Sequence, residues 1–367
     1  MISFNKTKIT EHTLDFLKTN LKHTDLSQHN NLELFEQNLR NFFECQFVII
    51  FNDVNDAFYA AYNAINLDHF DKVILTPVTS RAAFNPLFHI KARPVFIDVE
   101  KTNTISHKLL EHNLEISNTR GKNVVIIDHY NGEVVDVESI DKNLNDPSTI
   151  LIENGTEALG ARYLNGHKVG SCCFSHMTLL SFESSGPINS GGTVITTNIQ
   201  EIYDNLKSYR DQIFGIKEKE YISLSTTQYL SEIQAILGNH QLQELSKWQE
   251  KRKKLAKDYQ KSFQKYSLPE NEFLNENLIR YPYFLNTHKF KPKEIINKLL
   301  EKKIECKTNP LPLYYYPDIS KMVGEIKEYF PIGEENFAKT LYLPFHEELN
   351  SSDINYIAKN LKDILAQ

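Results

Sequence analysis

The sequence predicts an α/β protein built on a mainly parallel, seven-stranded sheet, with a smaller C-terminal α/β domain after it. Three observations carry that prediction. Short runs rich in Val, Ile and Leu alternate with segments of helical period from residue 46 to residue 211. The runs are continuously apolar, which marks strands buried on both faces of a helix-covered sheet. After about residue 225 the strand signal fades and a long charged helix follows. The large domain, with an N-terminal helical arm, is therefore expected over 1–245 and the smaller one over 246–367.

Residues 1–45 read as two helices around a polar turn. In the second, Leu32, Leu34, Phe35, Leu39, Phe42 and Phe43 form an apolar face at helical spacing. Strands are expected at 46–51, 73–76, 94–97, 123–127, 149–152, 178–182 and 193–196, with helices at 54–66, 80–91, 105–113 and 199–211. The segment 225–238 then leads into a charged helix over roughly 240–266. Its run Glu250-Lys251-Arg252-Lys253-Lys254 reads as a solvated face, because Trp248, Leu255 and Tyr259 mark the buried stripe. Short apolar runs over 278–285, a helix at 292–303 and terminal helices near 333–341 and 351–365 complete the chain.

Composition narrows the function classes. A net charge of −6 disfavours nucleic-acid and anionic-membrane partners. No apolar run approaches the roughly 18 residues of a membrane span, and the polar start has no signal-peptide core, so a cytoplasmic protein is expected. Cys45, Cys172, Cys173 and Cys306 lack metal-ligand spacing, so they read as packed, reduced thiols and no metal site is expected. Glycine is scarce, at 13 residues, about half the usual share of roughly 7%. Glycine-rich phosphate loops are therefore expected to have been filled in.

Several segments in order carry a resemblance. They are IENGTEALGARYLNGHKVGSC (152–172), LLSF and GGTVITTN within 179–198, LSEIQAILGNHQL (230–242) and FPIGEENFAKTLYLPFHEEL (330–349). PVFIDVE (94–100) and DHYNGEVVDVESI (128–140) add to them. Together, from about residue 12 onward, they resemble the DegT/DnrJ/EryC1/StrS sugar aminotransferases, and most of all the branch acting on UDP-linked 4-keto sugars in pseudaminic acid synthesis. The resemblance implies fold type I of the pyridoxal-phosphate (PLP) transferases.

It also implies site residues, and these have been replaced. An amine must form a Schiff base with the cofactor. The family places it on a lysine five residues after a serine; here Ser181-Phe182 match and Gly186 stands at the lysine's position. Lys168 reads as structural and Lys207 lies on a helix. A carboxylate must keep the pyridine nitrogen protonated, but the matching position is Asn154, which has no charge. The phosphate-binding loop aligns with Asn52-Asp53-Val54-Asn55, then Asp56, so carboxylates that suit a helix start would repel a phosphate. The ring-stacking aromatic aligns with Ser80, the partner-subunit loop with Thr227-Gln228-Tyr229, the family's Val-His-Tyr with Cys306-Lys307-Thr308, and a later histidine with Pro312.

Ser181 and His129 persist as buried hydrogen-bonding groups, with His129, Glu157 and Tyr314 as ligand-binding candidates. Tyr314, Tyr315 and Tyr316 also read as packing at the rim, and His176 as a residue outside the reacting centre. The expectation is a family member without a bound cofactor, binding a nucleotide sugar or related small molecule in surface-glycan synthesis. A homodimer is expected. The alternatives are an enzyme holding PLP or its amine form (PMP) without a covalent link, with His129 or Glu157 as acid–base groups, and a non-catalytic subunit forming a heterodimer with an active paralogue.

Overall fold

The computed structural model describes residues 1–6, 9–116, 120–144, 146, 148–183, 186–211, 229–263, 277–285, 289–324 and 326–367. The chain opens with α1 (Glu11–Leu21) and α2 (Asn30–Phe43). Strands and helices then alternate: β1 (Phe47–Phe51), α3 (Val54–Ala64), β2 (Lys72–Leu75), α4 (Arg81–Ile90), β3 (Arg93–Phe96), α5 (His107–Glu115) and β4 (Asn123–Asp128). Then come α6 (Val137–Lys142), β5 (Ile150–Asn154), β6 (Met177–Ser181), β7 (Thr193–Thr197) and α7 (Gln200–Asp211). These are the seven strands expected from the sequence, joined in the order β1-β7-β6-β5-β4-β2-β3. Only β7 runs antiparallel to its neighbours, β1 and β6.

Both faces of this sheet are covered. Along β4, Val125 and Ile127 pack with Leu32, Phe35, Leu39 and Phe43 of α2. The intervening Val124 and Ile126 pack with Phe58 of α3 and Phe84 of α4. Successive side chains leave opposite faces of a strand, so a strand between two helical layers has no polar face to show. That is why these strands read as unbroken apolar runs.

The 225–238 segment and the charged helix expected after it differ from what forms. Residues 225–228 lie outside the described residues, and one helix, α8, runs unbroken from Glu232 to Phe263. Gly238 sits inside it because α8 crosses α2 closely. A Cβ there would lie 2.5 Å from the Phe35 ring. The charged run is also not wholly solvated. Arg252 is buried, donating to Glu347 and to the carbonyls of Leu278 and Ile279. It falls on the same stripe as Leu255 and Tyr259, three and seven residues on, and therefore faces inward.

The second sheet is antiparallel, in the order β8-β10-β9, from β8 (Tyr281–Phe284), β9 (Lys307–Thr308) and β10 (Thr340–Leu343). Helices α9 (Pro292–Glu301), α10 (Pro317–Val323), α11 (Pro331–Lys339) and α12 (Ser351–Leu365) complete the chain. Its core joins Leu255, Tyr259 and Phe263 of α8 to Ile295 and Leu299 of α9 and to Ile354, Ile357 and Leu361 of α12. The expected helix at 333–341 ends two residues early, because Thr340 and Leu341 already belong to the central strand. The start of the chain is tied here too: Ile2 bridges Ile304, and the Phe4 N–H donates to Glu305 at 3.0 Å.

Candidate functional site

In an open parallel sheet, ligands bind beyond the carboxyl ends of the strands, where the strand order reverses. From β2 the chain moves outward to β3 and then crosses to β4 on β2's other side, so the reversal lies between β2 and β4. A cavity of about 200 Å³ sits there. The β2–α4 turn contributes Thr79 and Ser80, the end of β4 contributes Asp128 and His129, and the end of β5 contributes Asn154 and Glu157.

Ser80, His129, Asn154 and Glu157 thus converge as expected. Asp128, not singled out from the sequence, is the group between them. It is buried and accepts hydrogen bonds from Thr79 Oγ1 at 2.7 Å, Thr76 Oγ1 at 3.2 Å and Asn154 Nδ2 at 2.6 Å. Burial pushes its carboxyl up to about 6, although the three donors work against that. The Asn154 amide is committed at both ends, since its Oδ1 accepts from Thr156 Oγ1 at 2.8 Å. The carboxylate missing at 154 is therefore present one strand away.

His129 is fully buried. Its Nδ1 accepts from the Val135 N–H at 3.1 Å, which assigns the proton to Nε2, 2.7 Å from Glu153 Oε2. Both ring nitrogens are spent. Glu153 also accepts from Tyr163 and Ser175, and from Thr178 at 3.1 Å. Burial alone would raise its carboxyl; the hydrogen bond and the charge attraction of His129, with the bonds from Ser175 and Tyr163, outweigh burial and hold it below its ordinary value. This network ties the residue after β4 to β5.

Glu157 is paired with Arg280 Nη2 at 2.5 Å and accepts from the Asn131 N–H at 2.7 Å. The Arg280 guanidinium lies over the rings of Tyr130 and Tyr342, at 5.4 and 5.0 Å. An acid–base role for Glu157 would first require breaking this pair.

The remaining candidates lie elsewhere. Asp53 caps α3, its Oδ1 accepting from the N–H groups of Asn55 at 2.7 Å and Asp56 at 3.1 Å, with Asn52 just before it. Ser80, besides lining the cavity, caps α4 in the same way, through the Ala83 N–H. Ser181 ends β6, and its Oγ accepts from the Glu183 N–H at 3.3 Å. Gly186 follows, with 184–185 outside the described residues. Neither Ser181 nor Gly186 lines the cavity. Tyr314 stacks on Phe330 and donates to Glu334, while its neighbours Leu313 and Tyr316 form the cavity wall. His176 accepts from the Leu151 N–H at the opposite end of the sheet. Lys168 pairs with Glu44, and Lys207 with Asp211. Of the aligned partner-subunit loop, Thr227 and Gln228 lie outside the described residues, and Tyr229 donates to Asp211.

Among the described residues there is no cluster of metal-ligating side chains, and no helix is long and apolar enough to cross a membrane. Three cysteines are buried and Cys173 is exposed.

The sheet order and the helical layers on both faces are those of the α/β fold of PLP-transferase fold type I. The chain is similar over its whole length to a solved structure of that class, Helicobacter pylori PseC, an aminotransferase involved in the biosynthesis of pseudoaminic acid. The TM-score is 0.88 at 25% identity, covering 99% of this chain and 98% of the other. The chain belongs to the DegT/DnrJ/EryC1/StrS aminotransferase family, whose model matches residues 7–362. Among curated relatives, it is 27% identical to the UDP-4-amino-4,6-dideoxy-N-acetyl-beta-L-altrosamine transaminase of Campylobacter jejuni, covering 100% of this chain and 98% of the relative. It is 24% identical to the spore coat polysaccharide biosynthesis protein SpsC of Bacillus subtilis, covering 93% of this chain and 91% of that one.

Proposed function

We propose that this chain binds a sugar nucleotide in surface-glycan synthesis and does not transaminate it through a lysine-linked cofactor. The observation that carries this is the composition of the cavity: among the described residues lining it there is no lysine. Two further features support it. The α3 amides that would cradle a phosphate are taken by Asp53, with the Asp56 carboxylate beside them. The Asn154 amide, aligned with the ring-nitrogen partner, is held between Asp128 and Thr156. These residues do not fit a phosphate-bearing pyridine cofactor. The sugar theme rests on the family and on the substrates named for the relatives above. The assembly is proposed to be a homodimer, and the protein cytoplasmic.

The test is the absorption spectrum of the purified protein with and without added PLP, followed by borohydride reduction and mass spectrometry. The expected result is no cofactor band and no trapped lysine adduct. An adduct on any lysine would overturn the proposal. A second reading, catalysis with PLP or PMP held non-covalently, is favoured by one observation: Asp128 places a carboxylate 2.6 Å from Asn154 Nδ2. Incubation with a UDP-4-keto sugar, glutamate and PLP decides between the two, since an aminated product supports only the second.

A further inference from the structure

The N-terminal helix α1 packs on α8 and is held there lightly. Thr13 is the one residue of α1 that is buried. The contact includes three rings grouped around His240 of α8. Phe16 stacks on His240 with centroids 4.6 Å apart and 23° between the planes, and His12 lies 5.0 Å away, tilted by 43°. His12 and Phe16 are one turn apart on the same face of α1. His240 is only 3% exposed, whereas His12 is exposed. α8 itself is firmly placed at this turn. Gly238 lies against the Phe35 ring of α2, Asn239 accepts from Asn38 Nδ2 at 2.7 Å, and Gln241 holds Asn189 by two hydrogen bonds, of 3.0 and 2.9 Å.

Two histidines so placed make a contact that depends on how many protons it carries. Unprotonated, they pack as aromatic rings do. With a proton on each, two like charges face one another and one of them is buried. Burial first, and then His12, hold the His240 imidazole below its ordinary value, against the pull of Glu244. Glu244, one turn further along α8, is shared with Lys247 Nζ at 3.0 Å. On α1, Glu11 is exposed beside His12, and Asp15 pairs with Lys18 at 3.4 Å. The other segments packed on this turn of α8 bring amides, Asn38 from α2 and Asn189 from the loop before β7. His240 therefore takes up a proton less readily with α1 docked than with α1 released. Its contribution to docking is full above the ordinary histidine value and is lost as pH falls from there through the lower, docked value.

We propose that α1 is a pH-sensitive clamp, docked on α8 near neutral pH through the rings of His12, Phe16 and His240, and released in weak acid while the rest of the large domain stays folded. Release uncovers the turn of α8 that carries His240 and Gln241. Gln241 is the residue that holds Asn189, three positions after Gly186. The proposal is independent of the sugar-nucleotide reading.

Hydrogen–deuterium exchange of the full chain tests it, read by mass spectrometry at about pH 7.5 and about pH 5.5, on either side of the ordinary histidine value, and corrected for the intrinsic pH dependence of exchange. In wild type, α1 is expected to exchange at least about tenfold faster at the lower pH after that correction, with α2 and α8 protected at both. His240→Phe keeps a ring against Phe16 but has no titrating nitrogen, and its α1 is expected to stay protected at both pH values. His12→Gln removes the facing charge and is expected to move release to lower pH. His23→Gln, at an exposed residue beyond the end of α1, is expected to behave as wild type does. Equal protection of α1 at both pH values in wild type overturns the proposal. So does loss of protection in α2 and α8 together with α1, which is general acid unfolding, and so does release that persists unchanged in His240→Phe. If His240→Phe leaves α1 undocked at neutral pH, His12→Gln decides: release at a lower pH than wild type upholds the clamp, and release at the same pH overturns it.

Discussion

At Asn154 and Asp128 one carboxylate serves a pair of positions. Two ionised carboxyl groups 2.6 Å apart would repel strongly, so an amide at one position goes with an acid at the other. The Asp128 carboxyl is raised from 3.8 to about 6 in the folded state. A folded-state value above the unfolded one means that the folded protein binds the extra proton between these values. Stability from this group is therefore full below about pH 4 and lost as pH rises through 6. Compared with wild type, Asp128→Asn should gain relative stability between pH 4 and pH 6 and stay level above. Urea unfolding across that range measures it, and a flat difference would refute the assignment. Asn154→Asp should destabilise the fold near pH 7, and adding Asp128→Asn should restore it. Gly186 gives a third check. A Cβ there would lie 3.6 Å from the Ile188 carbonyl and 3.8 Å from that of Glu183, which is ordinary contact. Gly186→Lys should fold as wild type does, yet yield no aminated sugar in a mass-spectrometric assay, because the phosphate cradle is still absent.

Among the elements, the start of α3 is the most altered. A helix N-terminus leaves amides unpaired, and either an anion or a capping side chain satisfies them. Here Asp53 does so, and the helix needs no ligand for its stability. Asp53→Ala should cost about 1 kcal/mol, the usual loss of a cap. Added phosphate should not restore it, because the Asp56 carboxylate remains at the helix start and repels the anion. Denaturant midpoints with and without added phosphate test both statements. α8 shows the same economy from the other side. Its glycine is not a break but a point of close approach, and its buried arginine anchors the second sheet through Glu347.

On the scale of the molecule, the first six residues close the chain onto its C-terminal part. Ile2 pairs with Ile304, Phe4 with Glu305, and the Phe4 ring lies 4.7 Å from Lys307 Nζ. Removal of residues 1–6 should lower the melting temperature, which scanning calorimetry measures, since these contacts are lost. An unchanged melting temperature in the truncated chain would show that this segment does not hold the C-terminal part together. The same scale explains why the sites are composite: Glu157 meets Arg280 across 123 residues, and Asn309 meets Tyr130 across 179.

The seven strands of the main sheet were legible because each is an apolar run of four to six residues, a signal contained within its own segment. The helix start at Asp53 was legible for the same reason, since a cap acts on amides two or three residues away. Ser80, His129, Asn154 and Glu157 could be singled out through resemblance alone. Asp128 could not, because a lone acid at the end of a strand has no local signature; its charge matters through Thr79 and Asn154, which the strand order brings beside it. Arg252 was misjudged within a charged run because its burial depends on the second sheet, whose central strand, β10, is a four-residue segment flanked by a helix. The sequence by itself determined the periodicities, the caps and the absence of a lysine at position 186. Tertiary structure alone decided that Asp128 stands beside Asn154 and that both ring nitrogens of His129 are spent. Periodicity and capping act over a few residues, whereas charge and desolvation depend on whatever the crossover connections place within a few ångströms.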